Sequence, residues 1–522
     1  MPVSFSYSSF QEAVTDLMSP ATSLEGVQKL RRLSATEDYD LKTLTEACLE
    51  YGVFDWLLQS LEYCGDADEP ERTKETLWVF TNLAVSSEGC TVLLERGVTE
   101  KLCCVLRPGQ PDDIVENALW ALGNIAGENR AAVESLIERG VFAHVCRYLT
   151  EVFEGTFQVR VAVHKVLSWT ISNFLRVKPP LPFRMAMPIL PQLFHALRSF
   201  ASLQNLSEAL TDTLWSISYV FREESEGVIF DYLFANNNEI FLLMLAQLHG
   251  SRMNRAPALR LVGNVAALDG GTSTRVFTAP ALQHLQRLAA TIAPTDNGAI
   301  KELFWTLSNL LAEGPTIVSR VLESNVLQTL IPRVSPPPCN GVVKSIVWSN
   351  ASEMSWVLYN VMTESRENDG GRATAALALL DSGALHYCAQ TLTAASLLSS
   401  PPPSGLLNRL LRAVRLMIEV GGPHDDTEDA EMRNVFLAAF LAAGGRNALI
   451  DLIQNEASSV DALDEAMQLL QGCGEGSASQ PAQESGDADA GRDNNAQENN
   501  NAEPSDETIA SNGKDTPSDV PE

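Results

Sequence analysis

Six short phrases recur along the chain: TLWVFTNLAV around Trp78, ALWALGNIAG around Trp120, LSWTISNFLR around Trp169, TLWSISYVFR around Trp215, LFWTLSNLLA around Trp305 and MSWVLYNVMT around Trp356. Six of the eight tryptophans sit in this one frame, and five of the six phrases place Asn four residues later; the other places Tyr219 there. Between Trp215 and Trp305 the frame is filled by PALRLVGNVAA, with Arg260 in the tryptophan position and Asn264 after it. The spacing is 42, 49, 46, 45, 45 and 51 residues, a period in the range of units built from two or three helices. One such unit cannot bury its own apolar face, so it must stack on its neighbours.

Each frame is followed by a second phrase, such as TVLLERGVTEKLCCVL (91–106), AAVESLIERGVFAHVCRYL (131–149), TIVSRVLESNVLQTLI (316–331) and ATAALALLDSGALHYCAQTL (373–392). Apolar residues recur there at spacings of three and four, then a Gly or Asn breaks the helix before a new amphipathic one begins. Short helix, turn and longer helix make the armadillo order. The expected fold is all-α: a right-handed superhelical solenoid of about ten armadillo repeats with a disordered acidic C-terminal tail. The expected boundaries are a short extension at 1–9, the repeat array at 10–472 and the tail at 473–522. The end units lack the Trp/Asn frame, as capping repeats do. The proline clusters KPPLP (178–182), SPPPC (335–339) and SPPPS (400–404) read as inter-helix loops rather than domain boundaries.

Composition narrows the function. Lys+Arg number 37 against Asp+Glu 66, a net charge of −29, which repels nucleic acid and anionic membrane and attracts cationic partners. The tail, with twelve acidic and two basic residues and no aromatics, has the composition of a disordered segment. Nine scattered cysteines without a CxxC pair argue for reduced thiols and against a zinc site. The first 28 residues lack Lys, Arg and an apolar h-region, so neither a signal nor a transit peptide is expected. The apolar run VFLAAFLAAGG (435–445) is too short to span a bilayer. No histidine has HExxH spacing, there is no P-loop or GxSxG, and PHDDTEDAE (423–431) lacks EF-hand spacing. No enzyme, cofactor or metal is expected.

Residues four apart share a helix face, so each Trp stands beside its Asn, and stacking makes two parallel rows. A peptide lying extended along them would place its main chain over the asparagines, whose amides both donate and accept. Neighbouring indoles would wall slots for Lys or Arg stems, each cation–ring contact worth about 0.5–2 kcal/mol. A single Trp in a helical repeat is more often core than platform. Core packing, however, does not call for Asn five times in one register, and buried Asn without partners costs on the order of 1–3 kcal/mol. An exposed Asn row is therefore the expectation.

The frames resemble those of importin-alpha (karyopherin-alpha), the armadillo adaptor that binds nuclear localisation signals, in register over roughly residues 10–472. Tyr219 in the fifth repeat and Arg260 in the sixth are departures shared with that family. The resemblance implies a major peptide site at Trp78, Asn82, Thr91, Glu116, Trp120, Asn124, Glu128, Trp169 and Asn173, with Thr91 and Glu128 holding the key lysine. It implies a central groove at Asp212, Trp215, Tyr219 and Arg260, and a minor site at Asn264, Glu302, Trp305, Asn309, Glu353, Trp356 and Asn360. Ser86 replaces a family glycine near the lysine pocket, and Ala267 and Gly270 replace polar and acidic residues, which weakens the minor site more than the major one. Family members begin with a basic segment that recruits the importin-beta carrier; here the first basic residue is Lys29, so the expectation is a chain lacking that segment. The implied function is an adaptor for proteins carrying Lys/Arg-rich extended signals, in nuclear import or its regulation. Implied partners are an importin-beta carrier reached through another protein and an export receptor, with no nucleic acid and no membrane, in cytoplasm and nucleus. The alternative is an armadillo scaffold for a non-transport complex.

Overall fold

The computed structural model describes residues 7–35, 40–62, 70–155, 158–221, 233, 238–268, 272–339, 344–365, 370–398, 402–422, 434–455 and 459–472. Among them every regular element is a helix. The acidic tail, Gly270 and the whole of PHDDTEDAE lie outside the described residues.

Ten inner helices follow one another: α1 (Ser23–Ala35), α2 (Pro70–Leu83), α3 (Asp112–Glu128), α4 (Val161–Leu175), α5 (Ser207–Val220), α6 (Arg252–Ala266), α7 (Asn297–Leu311), α8 (Ser345–Glu364), α9 (Leu406–Val420) and α10 (Val460–Gly472). Each packs against the next, α1 on α2 through to α9 on α10. The middle ones are flanked by neighbours on both sides and so bury most of their surface. In α3, Ile114, Val115, Ala118, Leu119, Leu122 and Ile125 are all buried. The strip left over carries the Trp/Asn frame.

The expected breaks fall where the second phrases put them. Gly97, Gly140, Asn325 and Gly383 take left-handed backbone, with φ of 69°, 75°, 57° and 79°, and each starts the second helix of its unit. A residue with a bulky or branched side chain is strained in that region, which is why the sequence uses Gly or Asn. In the third repeat Ser86 caps the preceding short helix, Ser87–Glu95, accepting from the Gly89 N–H at 3.0 Å. The join then reverses the chain so that Val98–Val105 packs back on α3.

Cys48, Cys90, Cys103, Cys104, Cys146, Cys339 and Cys388 are free thiols. No single helix among the described residues is long and apolar enough to cross a membrane; the apolar pair Val435–Ala442 and Gly445–Gln454 is bent by 66°.

Candidate peptide-binding groove

All six frame tryptophans are half-buried, on inner helices α2 to α5, α7 and α8. Two of them rest on glycines of the preceding repeat. A Cβ at Gly123 would run into the Trp169 ring, and one at Gly263 into the Trp305 ring. Both glycines stand three residues after the tryptophan position of their own repeat, so the frame supplies both the ring and the seat for the next one. Trp120 and Trp169 meet edge to face, with centroids 6.5 Å apart, so these two indoles touch rather than stand as separated walls.

The asparagines correct the expectation of an exposed row. Asn82, Asn124 and Asn173 are 0%, 3% and 2% exposed. Each finds its partner in the repeat before it, which removes the cost that argued for exposure. Asn124 donates its Nδ2–H to the Thr81 carbonyl at 3.2 Å, Asn173 to Gly123 at 2.9 Å, and Asn82 to the Ser34 hydroxyl at 3.0 Å. The half-buried Asn264, Asn309 and Asn360 do the same, to the carbonyls of Ser218, Gly263 and Ser308 at 3.1, 3.4 and 2.9 Å. The accepting residue stands three places after the tryptophan position of the earlier repeat each time. Thr81, Ser218, Gly263 and Ser308 lie in the last turn of their helices, where carbonyls run short of intrahelical donors. The threonine after the tryptophan adds a second staple: Thr170 donates to the Leu119 carbonyl at 2.9 Å and Thr306 to Leu259 at 3.1 Å. Each amide thus commits at least one N–H to the solenoid, and those of Asn82 and Asn264 each reach two acceptors. The Oδ1 atoms of Asn82 and Asn124 have no hydrogen-bond partner among the described residues.

We expect Asn173→Ala to cost about 1 kcal/mol of stability, since it strips one of the bonds to the Gly123 carbonyl. Denaturant unfolding beside wild type measures it; an unchanged midpoint would mean the staple carries no net energy.

Thr91 and Glu128 both connect to Ser87. The Ser87 hydroxyl donates to the Glu128 carboxylate, and the Thr91 hydroxyl donates to the Ser87 carbonyl at 2.9 Å. Glu116 is half-buried, and burial raises its carboxyl above the usual range against the pull of Arg160. Tyr219 stacks on Trp215 of its own helix, centroids 6.0 Å and 16° apart. Ala267 is exposed just past the end of α6.

A register of carboxylates three residues before the tryptophan position runs along the same strip: Glu75, Asp212, Glu302 and Glu353. Two hold arginines of this chain. Glu75 pairs with Arg31 at 2.6 Å, and Glu302 takes Arg260 in a two-pronged pair at 2.7 and 2.8 Å. The other two, Asp212 and Glu353, have no ion-pair partner among the described residues. Burial pushes each up to about 7; for Asp212 the Glu208 charge adds to it and Arg176 opposes it, and for Glu353 the Lys301 charge opposes it.

Three arginine guanidiniums lie over groove indoles: Arg31 over Trp78 at 4.3 Å, Arg260 over Trp305 at 4.7 Å and Arg409 over Trp356 at 4.2 Å. Of these the sequence reading singled out only Arg260. Arg31 stands 47 residues before Trp78, so extending the frame outward by one period reaches it; Arg409, the fourth residue of α9, stands too early in its helix to be in the frame.

Residues 86–127 match the armadillo/beta-catenin-like repeat family. Importin subunit alpha-2 of Arabidopsis thaliana is 32% identical over 161 residues, 31% of this chain and 28% of that protein. Importin subunit alpha-1b of Oryza sativa subsp. japonica is 27% identical over 271 residues, 51% of this chain and 46% of that protein. Importin subunit alpha-1a of the same plant is 25% identical over 312 residues, 59% and 54%. The chain therefore spans between 28% and 54% of the length of these relatives. A crystal structure of an engineered protein superposes with a TM-score of 0.65 at 17% identity, covering 89% of this chain and 98% of that one, which shows the fold. Repeat frame, helix order and structural likeness together make this chain an armadillo-repeat solenoid, similar in sequence to importin alpha subunits.

Proposed function

We propose that the chain is a non-enzymatic adaptor that binds Lys/Arg-rich extended peptides along the Trp/carboxylate strip, as in import of proteins into the nucleus or its regulation. The observation that carries this reading is Asp212, a half-buried carboxylate beside the Trp215 indole with no ion-pair partner among the described residues where Glu75 and Glu302 have one; Glu353 by Trp356 also has no ion pair there, with Lys301 and Arg409 near it. An incoming ammonium or guanidinium would supply that partner, with its stem on the ring. Trp78, Trp120, Trp169, Thr91, Glu116 and Glu128 form the major site of this proposal, and Trp305, Glu353 and Trp356 the core of the minor one. A main-chain clamp by Asn82 and Asn124 is no part of this proposal, because their amides bond to the preceding repeat and their oxygens are themselves buried. Its proposed partners are proteins carrying basic signals, an importin-beta carrier reached through another protein and an export receptor, and its proposed compartments are cytoplasm and nucleus.

Titration of a lysine-rich peptide into the protein by calorimetry tests the reading, and its pH dependence tests the carboxylates. Asp212 and Glu353, held at about 7, are about one-tenth ionised at pH 6 and nine-tenths at pH 8. Affinity should rise about tenfold over that interval for each one engaged, with proton release below pH 7. The sign for the free protein is opposite. A carboxyl raised above its ordinary value adds stability below that value and loses it as pH rises through about 7. A peptide affinity flat from pH 6 to 8 would remove these carboxylates from the site.

The scaffold reading draws on the asparagine staples, which give the Asn row a purpose without any ligand. It requires that a folded protein bind no basic peptide along this strip.

A further inference from the structure

We propose that His249, His284 and Arg287, with Arg255 behind them, form an oxyanion site in the outer layer of the solenoid, taking a phosphate monoester dianion such as a phosphoserine side chain. The site is separate from the peptide strip and stands whether or not that strip binds peptides.

His249 follows the helix Glu239–Gln247, and His284 lies in the helix Ala279–Thr291. These two helices pack on one another outside the inner row. The two half-buried rings stack, with centroids 5.2 Å and planes 26° apart, and His249 Nε2 meets His284 Nδ1 at 3.1 Å. One of these nitrogens donates to the other, so the pair holds one inner proton. Whichever donates, the neutral pair then presents one N–H and one bare nitrogen at its outer atoms, His249 Nδ1 and His284 Nε2. Neither outer atom has a hydrogen-bond partner among the described residues. One further proton turns both into donors while the inner bond stays in place, so the pair is a ready recipient for an acceptor that brings negative charge.

The surrounding charges favour such a ligand. Arg287 is exposed and makes no ion pair among the described residues. Arg252 and Arg255 share the carboxylate of Asp296, at 3.4 and 3.3 Å. Three guanidiniums against one carboxylate leave two positive charges, which a phosphate dianion balances and a single carboxylate does not. On the neighbouring elements Glu239 is already held by Arg198 at 3.0 Å, and Arg333 donates to the Ile292 carbonyl at 3.0 Å. Burial first, then the Arg287 charge, holds both imidazoles below their ordinary value; at His249 the partner ring and Arg255 add to this. A bound dianion opposes those charges and draws a proton onto the pair. Affinity should therefore strengthen as pH falls from 8 towards 6.5, with proton uptake on binding; near pH 6 the phosphate starts to lose its own second charge.

The test follows the histidine Cε1–H resonances of the full chain, assigned with His249→Gln and His284→Gln. Inorganic phosphate is added, and separately a capped pentapeptide with phosphoserine between glycines. Both resonances should move saturably towards the imidazolium position, their titration midpoints rising by about half a pH unit or more. Arg287→Ala, an exposed change, should weaken binding about tenfold, and glutamate in place of phosphoserine should weaken it at least as much. Tighter binding of the peptide than of phosphate assigns the site to phosphorylated partners; equal binding assigns it to the free ion, and the oxyanion site stands in both cases. Unmoved His249 and His284 resonances at millimolar phosphate and peptide, or equal affinities for wild type and Arg287→Ala, overturn the proposal.

Discussion

Replacing Trp120 and Trp169 together by alanine is expected to weaken binding of a lysine-rich peptide by about 30-fold, the loss of two ring contacts worth about 1 kcal/mol each. Both rings are half-buried and they touch edge to face, so a lysine stem entering between them must part them. That parting takes back some of the contact energy, which is why the estimate sits below the maximum for two cation–ring contacts. Trp169 also fills the space over Gly123, so its removal opens a hollow and destabilises the fourth repeat. Trp169→Phe separates the two effects: it should keep most of the packing and part of the affinity. The measurement is fluorescence anisotropy on variants whose helical signal and unfolding midpoint have been recorded. Unchanged affinity in a folded double variant would move the ligand off this strip and favour the scaffold reading.

Glu302→Ala carries the largest expected loss of stability, about 3–5 kcal/mol, because it leaves Arg260 largely buried without its carboxylate. Both oxygens of Glu302 are used, one by Nε and one by Nη2 of Arg260, so Glu302→Gln restores neither the charge nor a second acceptor and should recover only part of the loss. Arg260→Met/Glu302→Leu, which removes the pair as a whole, should lie closer to wild type than Glu302→Ala does. That ordering follows from the cost of an uncompensated buried charge rather than from the strength of the pair. Urea unfolding of the set decides it. A Glu302→Ala midpoint indistinguishable from wild type would mean that water reaches the guanidinium freely.

Much of this architecture was readable before any coordinate. Tryptophans recurring near every 45 residues announced the repeat, and Gly97, Gly140, Asn325 and Gly383 announced the joins, because left-handed backbone restricts which residues can stand there. Periodicity also placed each Asn beside its Trp on one helix. It could not report what the neighbouring helix lays over that face, and so Asn82, Asn124 and Asn173 were expected exposed when they reach back to the previous repeat. For Asn124 and Asn173 the partners are main-chain carbonyls, which leave no mark in a sequence. Arg31 was passed over for a different reason. The frame was recognised by the residue type Trp, whereas the position is defined by what packs against the adjacent indole, a role a guanidinium fills equally well. Arg409, early in its helix, lies outside the frame and reaches Trp356 from the following repeat.

The amide staples join repeats one to four through Asn82, Asn124 and Asn173, and repeats five to eight through Asn264, Asn309 and Asn360. At the joint between the fourth and fifth repeats the position is Tyr219, which has no amide and stacks within its own helix. Viewed as a spring, the solenoid has two braced coils meeting at one turn without that brace. Twisting or stretching strain should collect there, letting the two coils change pitch relative to one another while each keeps its own spacing of rings. A long occupant spanning both coils would then feel two rulers of fixed graduation joined by a compliant link, and the distance between its two anchoring segments would be the least constrained dimension of the complex.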